Sequence, residues 1–148
     1  MSAAYYALFH LLVADGARLL SPTQPRGLSL LIGRAFNHGD MRAVCRGFVQ
    51  ANVAAVRGRP SNAIPEVTRA LLTFPLEPAL LDVLQAFVEL QEARHQADYD
   101  LRRTWNRLDA ATHVQTARNA FASLSISRSL WNGVGVMRSR SVPRGTVG

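Results

Sequence analysis

Apolar residues recur three and four positions apart along most of this chain, and no segment alternates apolar and polar residues as a half-buried strand would. The clearest case covers residues 78–97, where Leu84, Phe87 and Val88 follow the helical period while Glu89 falls outside it. A chain whose apolar residues follow the helical period in this way must bury helix faces against other helices. The spacing therefore predicts an all-α fold.

The same period predicts helices before and after this segment. It appears over residues 2–20 and 107–124, with a short helical piece at 66–73. Residues 27–37 and 41–53 repeat it on either side of a turn signal at Gly39, with Asp40 as the predicted N-cap. Asn106 is the predicted N-cap of the last helix. The architecture predicted is a bundle of four main helices plus a short one.

The end of the chain differs in composition from the rest. The 148 residues fit one domain, but residues 125–148 are rich in Ser, Gly, Val and Arg, with Trp131 as their only large anchor. All 17 basic residues of the chain are Arg, and this segment holds four of them and no acid. We expect a helical domain over 1–124 and a basic, mostly disordered tail over 125–148, able to attract phosphate backbones non-specifically.

Several function classes lack their signatures. The single cysteine, Cys45, excludes an internal disulfide and a cysteine-based zinc site. The sequence contains no Walker loop, no G-x-G-x-x-G, no H-E-x-x-H and no acidic metal cluster. No metal and no cofactor is therefore predicted. It also contains no convincing signal peptide and no apolar run of about 20 residues, so we expect a cytoplasmic protein without a membrane segment.

Ionisable residues concentrate where the helix of residues 78–97 ends. Arg94, His95, Asp98, Tyr99 and Asp100 occupy five of seven consecutive positions. Arg94 and Asp98 are four apart and can pair, since they lie within about 40° of each other on a helix. The cluster is interpreted either as a functional site or as a polar network that fixes a non-helical bend over residues 98–106.

Two segments of this chain resemble the HEPN superfamily, in particular its small prokaryotic members. The first, S-x-A-Y-Y-A-x-F-H, is matched by Ser2, Ala4, Tyr5, Tyr6, Phe9 and His10. The second, R-x-x-A-D-Y, is matched by Arg94, Ala97, Asp98 and Tyr99. The two motifs and the helices between them span about residues 2–124. The resemblance implies an all-α, HEPN-like bundle.

The resemblance implies two kinds of function. Many HEPN proteins are metal-independent ribonucleases, often toxins or defence effectors. Others are non-catalytic partners, frequently of small nucleotidyltransferases, and bind nucleotides or hold a complex together. The nucleases use an Arg, a polar residue and then a His, with four to six residues between Arg and His. Such a His can transfer the protons of RNA cleavage, and the Arg can clamp the phosphate.

This chain departs from the nuclease motif. His95 supplies the polar residue after Arg94, but Asp98, Tyr99 and Asp100 occupy the stretch where the His is expected. Arg34 and His38 are separated by only three residues. Arg107 and His113 fit the spacing formally, yet six steps along a helix place them about 120° apart, so we interpret that pair as coincidence.

His10 is open to two interpretations. On a largely apolar helix it is either a core histidine satisfied by one hydrogen bond, or it joins Tyr6 and Arg94 in one phosphate-holding pocket. We predict a non-catalytic module that binds a nucleotide or RNA phosphate through a set of five residues, in the setting of a toxin–antitoxin or defence pair. The set is Tyr6, His10, Arg94, Asp98 and Tyr99. The alternatives are a ribonuclease that uses Arg94 with His95 or His10, and a purely structural interaction protein.

The position of the first motif leads to one more expectation. HEPN domains usually have a helix before it, whereas this sequence starts at the motif. The first helix would then have an uncovered face, which predicts either a homodimer or an incomplete N-terminus. A nucleotidyltransferase or toxin–antitoxin protein is the other partner that the resemblance implies.

Overall fold

The chain folds as a set of packed helices. A computed structural model describes residues 2–20, 33–70, 72–100, 102 and 104–140, with the backbone alone at residue 20 and at 129–140. The helices are α1 (Ser2–Leu20), α2 (His38–Val56), α3 (Glu66–Ala70), α4 (Pro78–Tyr99) and α5 (Arg107–Arg140). Residues 33–35 are also helical, and no strand occurs within the described residues. The all-α prediction is confirmed. Most of the predicted helix over 27–37 lies outside the described residues.

Helix α4 is the centre of the fold, because it packs against α1, α2 and α5. Its predicted apolar face is the buried one. The largest fully buried side chains come from α1 and α4 and are Tyr5, Leu8, Val83, Phe87 and Leu90. The Phe87 ring lies 5.7 Å from the Tyr5 ring and 6.5 Å from the Phe9 ring, measured between centroids. Aromatic burial of this kind supplies much of the stability of a small helical core. It also fixes α1 against the middle of α4.

The helix ends are set by side chains that accept backbone hydrogen bonds. Helix α2 begins at His38, before the predicted Asp40 cap, because the Asn37 side chain accepts from the Asp40 amide at 2.7 Å. This places His38 in the first turn of the helix. The predicted Asn106 cap of α5 is confirmed: its side chain accepts from the Asp109 amide at 2.9 Å, and Asp109 accepts from the Asn106 amide at 3.0 Å.

The end of α4 differs from the predicted bend. Glu77 caps its start by accepting from the amides of Ala79 and Leu80, at 2.9 and 3.1 Å. Its last turn includes Asp98 and Tyr99, which were expected in the non-helical segment. Asp98 and Tyr99 therefore belong to the same helix as Arg94, four and five residues after it. The non-helical connection begins at residue 100.

Helix α5 does not end near residue 124 as predicted but continues to Arg140. The first residues of the expected tail are held against α1: Ser127 is buried, and the Arg128 guanidinium pairs with the carboxylate of Asp15. Asp15 also pairs with Arg18 at 3.0 Å. Residues 125–140 are thus part of α5, and residues 141–148 lie outside the described residues, so the domain boundary at 124 and the disordered tail stay predictions.

Close packing also governs the chain between α2 and α4. Asn52 is buried, and its side-chain oxygen accepts from the Leu76 amide at 2.7 Å, which satisfies a buried donor of this connection. Gly47 lets the connection approach α2 closely: a Cβ at this position would lie 2.6 Å from the carbonyl oxygen of Ala63. The connection is therefore fixed to α2 at two points.

Candidate functional site

Three of the sequence-predicted site residues, Tyr6, His10 and Arg94, lie where α1, the start of α2 and the last turns of α4 meet. Six side chains form what we call the arginine cluster: Tyr5, Tyr6, Phe9, His10, His38 and Arg94. The apolar packing of Phe87 beneath Tyr5 and Phe9 fixes this junction from the core side. The cluster thus combines aromatic rings with three side chains that can carry positive charge.

Arg94 lies over the two tyrosines. Its guanidinium carbon is 5.6 Å from the centroid of the Tyr5 ring and 5.2 Å from that of Tyr6, within the range of cation–π attraction. Its Nε donates to Oδ2 of Asp98 at 3.0 Å, which confirms the predicted pairing. Asp98 in turn accepts from the Ser2 hydroxyl at 3.5 Å.

The outer edge of the Arg94 fork has no partner among the described residues. Its two terminal amino groups donate to no described residue, and the side chain is 25% exposed. The rings and Asp98 hold one side of the guanidinium, so the other side is presented to solvent in a fixed orientation. A planar fork of this kind matches a phosphate or carboxylate.

His38 is bound to the buried tyrosine of the cluster. The Tyr5 hydroxyl lies 2.5 Å from Nδ1 of His38, and the His38 ring lies 4.0 Å from the Phe9 ring between centroids. Burial raises the pKa of Tyr5 to about 12, so its hydroxyl stays protonated and can donate. Burial lowers the pKa of His38, and the nearby Arg94 and His10 lower it further. We therefore assign a neutral His38 that accepts at Nδ1 and carries its proton on Nε2.

His10 lies on the solvent side of the cluster. It is exposed, so it is not a core histidine. Its ring stacks on Tyr6 with 6.2 Å between centroids and meets the Phe9 ring edge-on at 5.4 Å. Tyr6 is therefore flanked by His10 on one side and approached by Arg94 on another. The Tyr6 ring is thus the common neighbour of His10 and Arg94.

His95 and Tyr99 lie apart from the cluster. Both are exposed, Tyr99 to 72%, and their rings contact each other with 4.8 Å between centroids. Among the described residues, neither ring contacts a ring of the arginine cluster. Asp98 reaches the cluster only through its ion pair with Arg94. Of the five residues predicted to bind phosphate, Tyr6, His10 and Arg94 share a surface that a ligand can contact.

Sequence reasoning missed His38 and Tyr5 as site residues. His38 was considered only as a partner of Arg34, four residues before it, whereas its actual partner Tyr5 is 33 residues away. The one usable signal was Asn37, a good N-cap that places His38 in the first turn of α2. The other spaced pair does not form a site: Arg107 is exposed, and Nδ1 of His113 lies 3.7 Å from Oε1 of Glu89.

Two kinds of site are absent from the described residues. In the part of the chain that the structure describes, no three His, Cys, Asp or Glu side chains are placed to hold a metal ion. Within the same part, none of the helices has both the length and the apolar character needed to cross a bilayer. Burial raises the pKa of Cys45 to about 11, so this thiol is a buried apolar group and not a nucleophile.

Comparisons with models of known protein families, with curated proteins and with solved structures find no match to this chain. The HEPN resemblance therefore stays a prediction.

Proposed function

We propose that this protein is a non-catalytic module that binds the phosphate of a nucleotide or RNA at the arginine cluster. The observation that carries the proposal is the position of Arg94. Its guanidinium lies over the Tyr5 and Tyr6 rings, and its terminal amino groups are free of described protein partners. A phosphate placed on this edge would receive two parallel, charge-assisted hydrogen bonds.

The neighbouring side chains suit the rest of a nucleotide. His10 is exposed beside Tyr6, and its ring stacks on the Tyr6 ring. Its ring and that of Tyr6 offer π-faces on which a base can stack, a contact worth about 1–3 kcal/mol per base in single-strand binding proteins. Asp98 would repel a phosphate, but it is held on the Nε side of Arg94, away from the free edge.

The proton chemistry favours binding over catalysis. A general base needs a free lone pair, whereas Nδ1 of His38 is occupied by Tyr5 and its Nε2 carries the proton. A general acid must be protonated near neutral pH, whereas burial lowers the pKa of His38. His38 is better suited to donate a hydrogen bond from Nε2. No histidine follows Arg94 at a separation of four to six intervening residues.

A metal-independent ribonuclease is the second candidate function. The observation that favours it is His10, an exposed histidine close to the Arg94–Tyr6 pair and able to move a proton. In this case Arg94 would stabilise the charge on the phosphate, and His10 would act as the acid or base. His95 is less suited to that role because its ring faces Tyr99.

The biological setting follows from the resemblance alone. A homodimer, a nucleotidyltransferase partner and a toxin–antitoxin or defence pair stay predictions. A purely structural role for the cluster is the third interpretation, in which Arg94 only joins α1 to α4 through the two tyrosines. Each interpretation predicts a different outcome for the same set of variants.

The test measures binding of AMP and of a short single-stranded RNA by calorimetry in EDTA. We expect Arg94→Ala to weaken binding about tenfold or more, because a charge-assisted hydrogen bond contributes about 1.5–3 kcal/mol. Arg94→Lys should be intermediate, since lysine keeps the charge but loses the fork. His10→Ala should weaken RNA binding less. The matched control is Arg57→Ala, an exposed arginine at the opposite end of α2 from His38, about 28 Å along that helix.

The same samples distinguish the alternatives. RNA cleavage in EDTA that disappears in both Arg94→Ala and His10→Ala would replace the proposal with the ribonuclease. A folded wild-type protein that binds neither ligand would leave the structural role. Equal weakening by Arg57→Ala and Arg94→Ala would show that binding reflects net charge and not this site.

A further inference from the structure

A second cleft, separate from the arginine cluster, lies between α2, α4 and the start of α5. Its volume is about 810 Å³, within the range of about 300–1,000 Å³ that is usual for small-molecule sites. Val49, Val88, Ala93 and Trp105 supply apolar walls. Flat aromatic molecules bind in clefts of this kind when a few polar groups fix their orientation.

The charged side chains of this cleft are divided between two helices. Arg42 and Arg46 come from α2, one turn apart, and Glu89 and Glu92 come from α4. Arg42 pairs with Glu92, so those two charges largely neutralise each other. Arg46 is exposed and forms no ion pair with any described residue. The cleft therefore has one free positive group on its α2 side.

The opposite side of the cleft offers a carboxylate. Glu89 is 54% exposed, and its Oε1 accepts from the Thr116 hydroxyl at 3.4 Å and lies 3.7 Å from Nδ1 of His113. Its Oε2 accepts from no described residue. The His113 ring meets the Trp105 ring edge-on with 6.0 Å between centroids, so Glu89, His113 and Trp105 form one continuous wall. This wall presents a hydrogen-bond acceptor beside an aromatic ring.

We propose that this cleft binds a guanine nucleotide, with the base against Trp105, its N–H donors on Glu89 and its phosphate on Arg46. The cleft requires an anion at one end and hydrogen-bond donors at the other, with a flat apolar body between them. Guanine carries two adjacent donors, N1–H and the 2-amino group, that match a carboxylate, which can only accept. Adenine and cytosine place a ring-nitrogen acceptor beside their amino group, and that lone pair would face the Glu89 oxygens. The proposal does not depend on the arginine cluster.

Trp105 provides a local signal for the test. The chain has two tryptophans, so Trp131→Phe leaves Trp105 as the only one. The arginine cluster contains no tryptophan, so a ligand bound there does not contact this reporter. In the Trp131→Phe background, GMP, AMP and inorganic phosphate are titrated while Trp105 emission is followed, with the dissociation constants checked by calorimetry.

We expect GMP to give a saturable change in Trp105 emission, with affinity at least about tenfold higher than AMP or phosphate. Arg46→Ala should lower the affinity of the cleft for GMP and for AMP by a similar factor, because it removes the phosphate contact that both nucleotides share. Glu89→Gln should lower the affinity for GMP selectively, so that it becomes close to the affinity for AMP. Arg57→Ala is the control and should change neither, since Arg57 does not line the cleft.

Three results would overturn the proposal. The first is that GMP at about 1 mM fails to saturate the signal. A dissociation constant of about 1 mM corresponds to a binding free energy of only about 4 kcal/mol. The second is equal affinity for GMP and AMP when binding is followed by Trp105 emission. The third is GMP binding that persists unchanged in both Arg46→Ala and Glu89→Gln. Circular dichroism of each variant confirms the fold; both substituted side chains are exposed, so we expect the variants to fold.

Discussion

The hydrogen bond between Tyr5 and His38 gives the sharpest test of the site geometry. Tyr5→Phe removes one oxygen atom and keeps the ring, together with its contacts to Phe9 and Phe87. The Tyr5 side chain is fully buried, so the lost hydroxyl is not replaced by bulk water. Nδ1 of His38 is then left without its donor, 2.5 Å away in the parent protein.

The expected cost follows from the burial of that nitrogen. Leaving a buried acceptor unsatisfied costs about 1–3 kcal/mol, and His38 is only partly buried, so we expect the lower half of that range. Loss of one oxygen from a ring that stays in place adds little packing energy. The matched control is Tyr99→Phe, which removes the same atom from a tyrosine that is 72% exposed. It should change the free energy of unfolding by less than about 0.5 kcal/mol.

The assay is urea denaturation followed by circular dichroism at pH 8, where the assigned His38 is neutral. Both variants should keep the m-value of the parent protein, so that a shift in midpoint reports stability alone. If Tyr5→Phe matches Tyr99→Phe within about 0.5 kcal/mol, the hydroxyl contributes nothing to the folded state. The assignment of His38 as its acceptor would then be wrong, and with it the argument that Nδ1 is unavailable for catalysis.

Two further predictions use the same assay. Gly47→Ala should destabilise the protein by about 1–2 kcal/mol, because the clash of a Cβ 2.6 Å from the Ala63 carbonyl oxygen outweighs a helix-propensity gain of about 1 kcal/mol. The control is Gly39→Ala, where a Cβ would meet its nearest atom, Oδ1 of Asn37, at 3.5 Å. This substitution should be neutral or stabilising. Burial, Arg94 and His10 lower the pKa of His38 from 6.5, so the stability that neutral His38 provides is present above pH 6.5 and is lost as the pH falls below it. Arg94→Ala removes one of these causes and should reduce that loss between pH 7 and pH 5; an unchanged profile would contradict the electrostatic contact.

Helix interiors could be predicted from the sequence, whereas their ends depended on single side chains. Both Asn37 and Asp40 are good N-caps, and the period of α2 does not distinguish them. The fold uses Asn37, and His38 enters the helix as a result. At the other end of the chain, Gly133 and Gly135 disfavour a helix locally. Helix α5 nevertheless continues through both glycines. Just before them, Arg128 pairs with Asp15, 113 residues away, and nothing in the local sequence indicates this contact.

The candidate site shows the same division between local and tertiary information. The Arg94–Asp98 pair was predicted because a spacing of four is a property of the helix itself. His95 follows Arg94 directly, and one step along a helix turns its side chain by about 100° away from that of Arg94. His38 reaches Tyr5 only because α1 and α2 both pack on α4. No spacing rule within one segment could have found it.

The state of Arg94 favours the proposed binding role over a purely structural one. A guanidinium retained only to join α1 to α4 would be expected to use its terminal amino groups on protein acceptors, because buried polar groups in folded proteins are almost always satisfied. Here Nε alone is bonded to a described residue, and the terminal edge is partly exposed. The rings of Tyr5 and Tyr6 restrict the fork before any ligand arrives, which reduces the ordering cost that binding must overcome. A purely structural contact gains nothing from a terminal edge that is held in place without a described partner, whereas the proposed phosphate site would bind its ligand there.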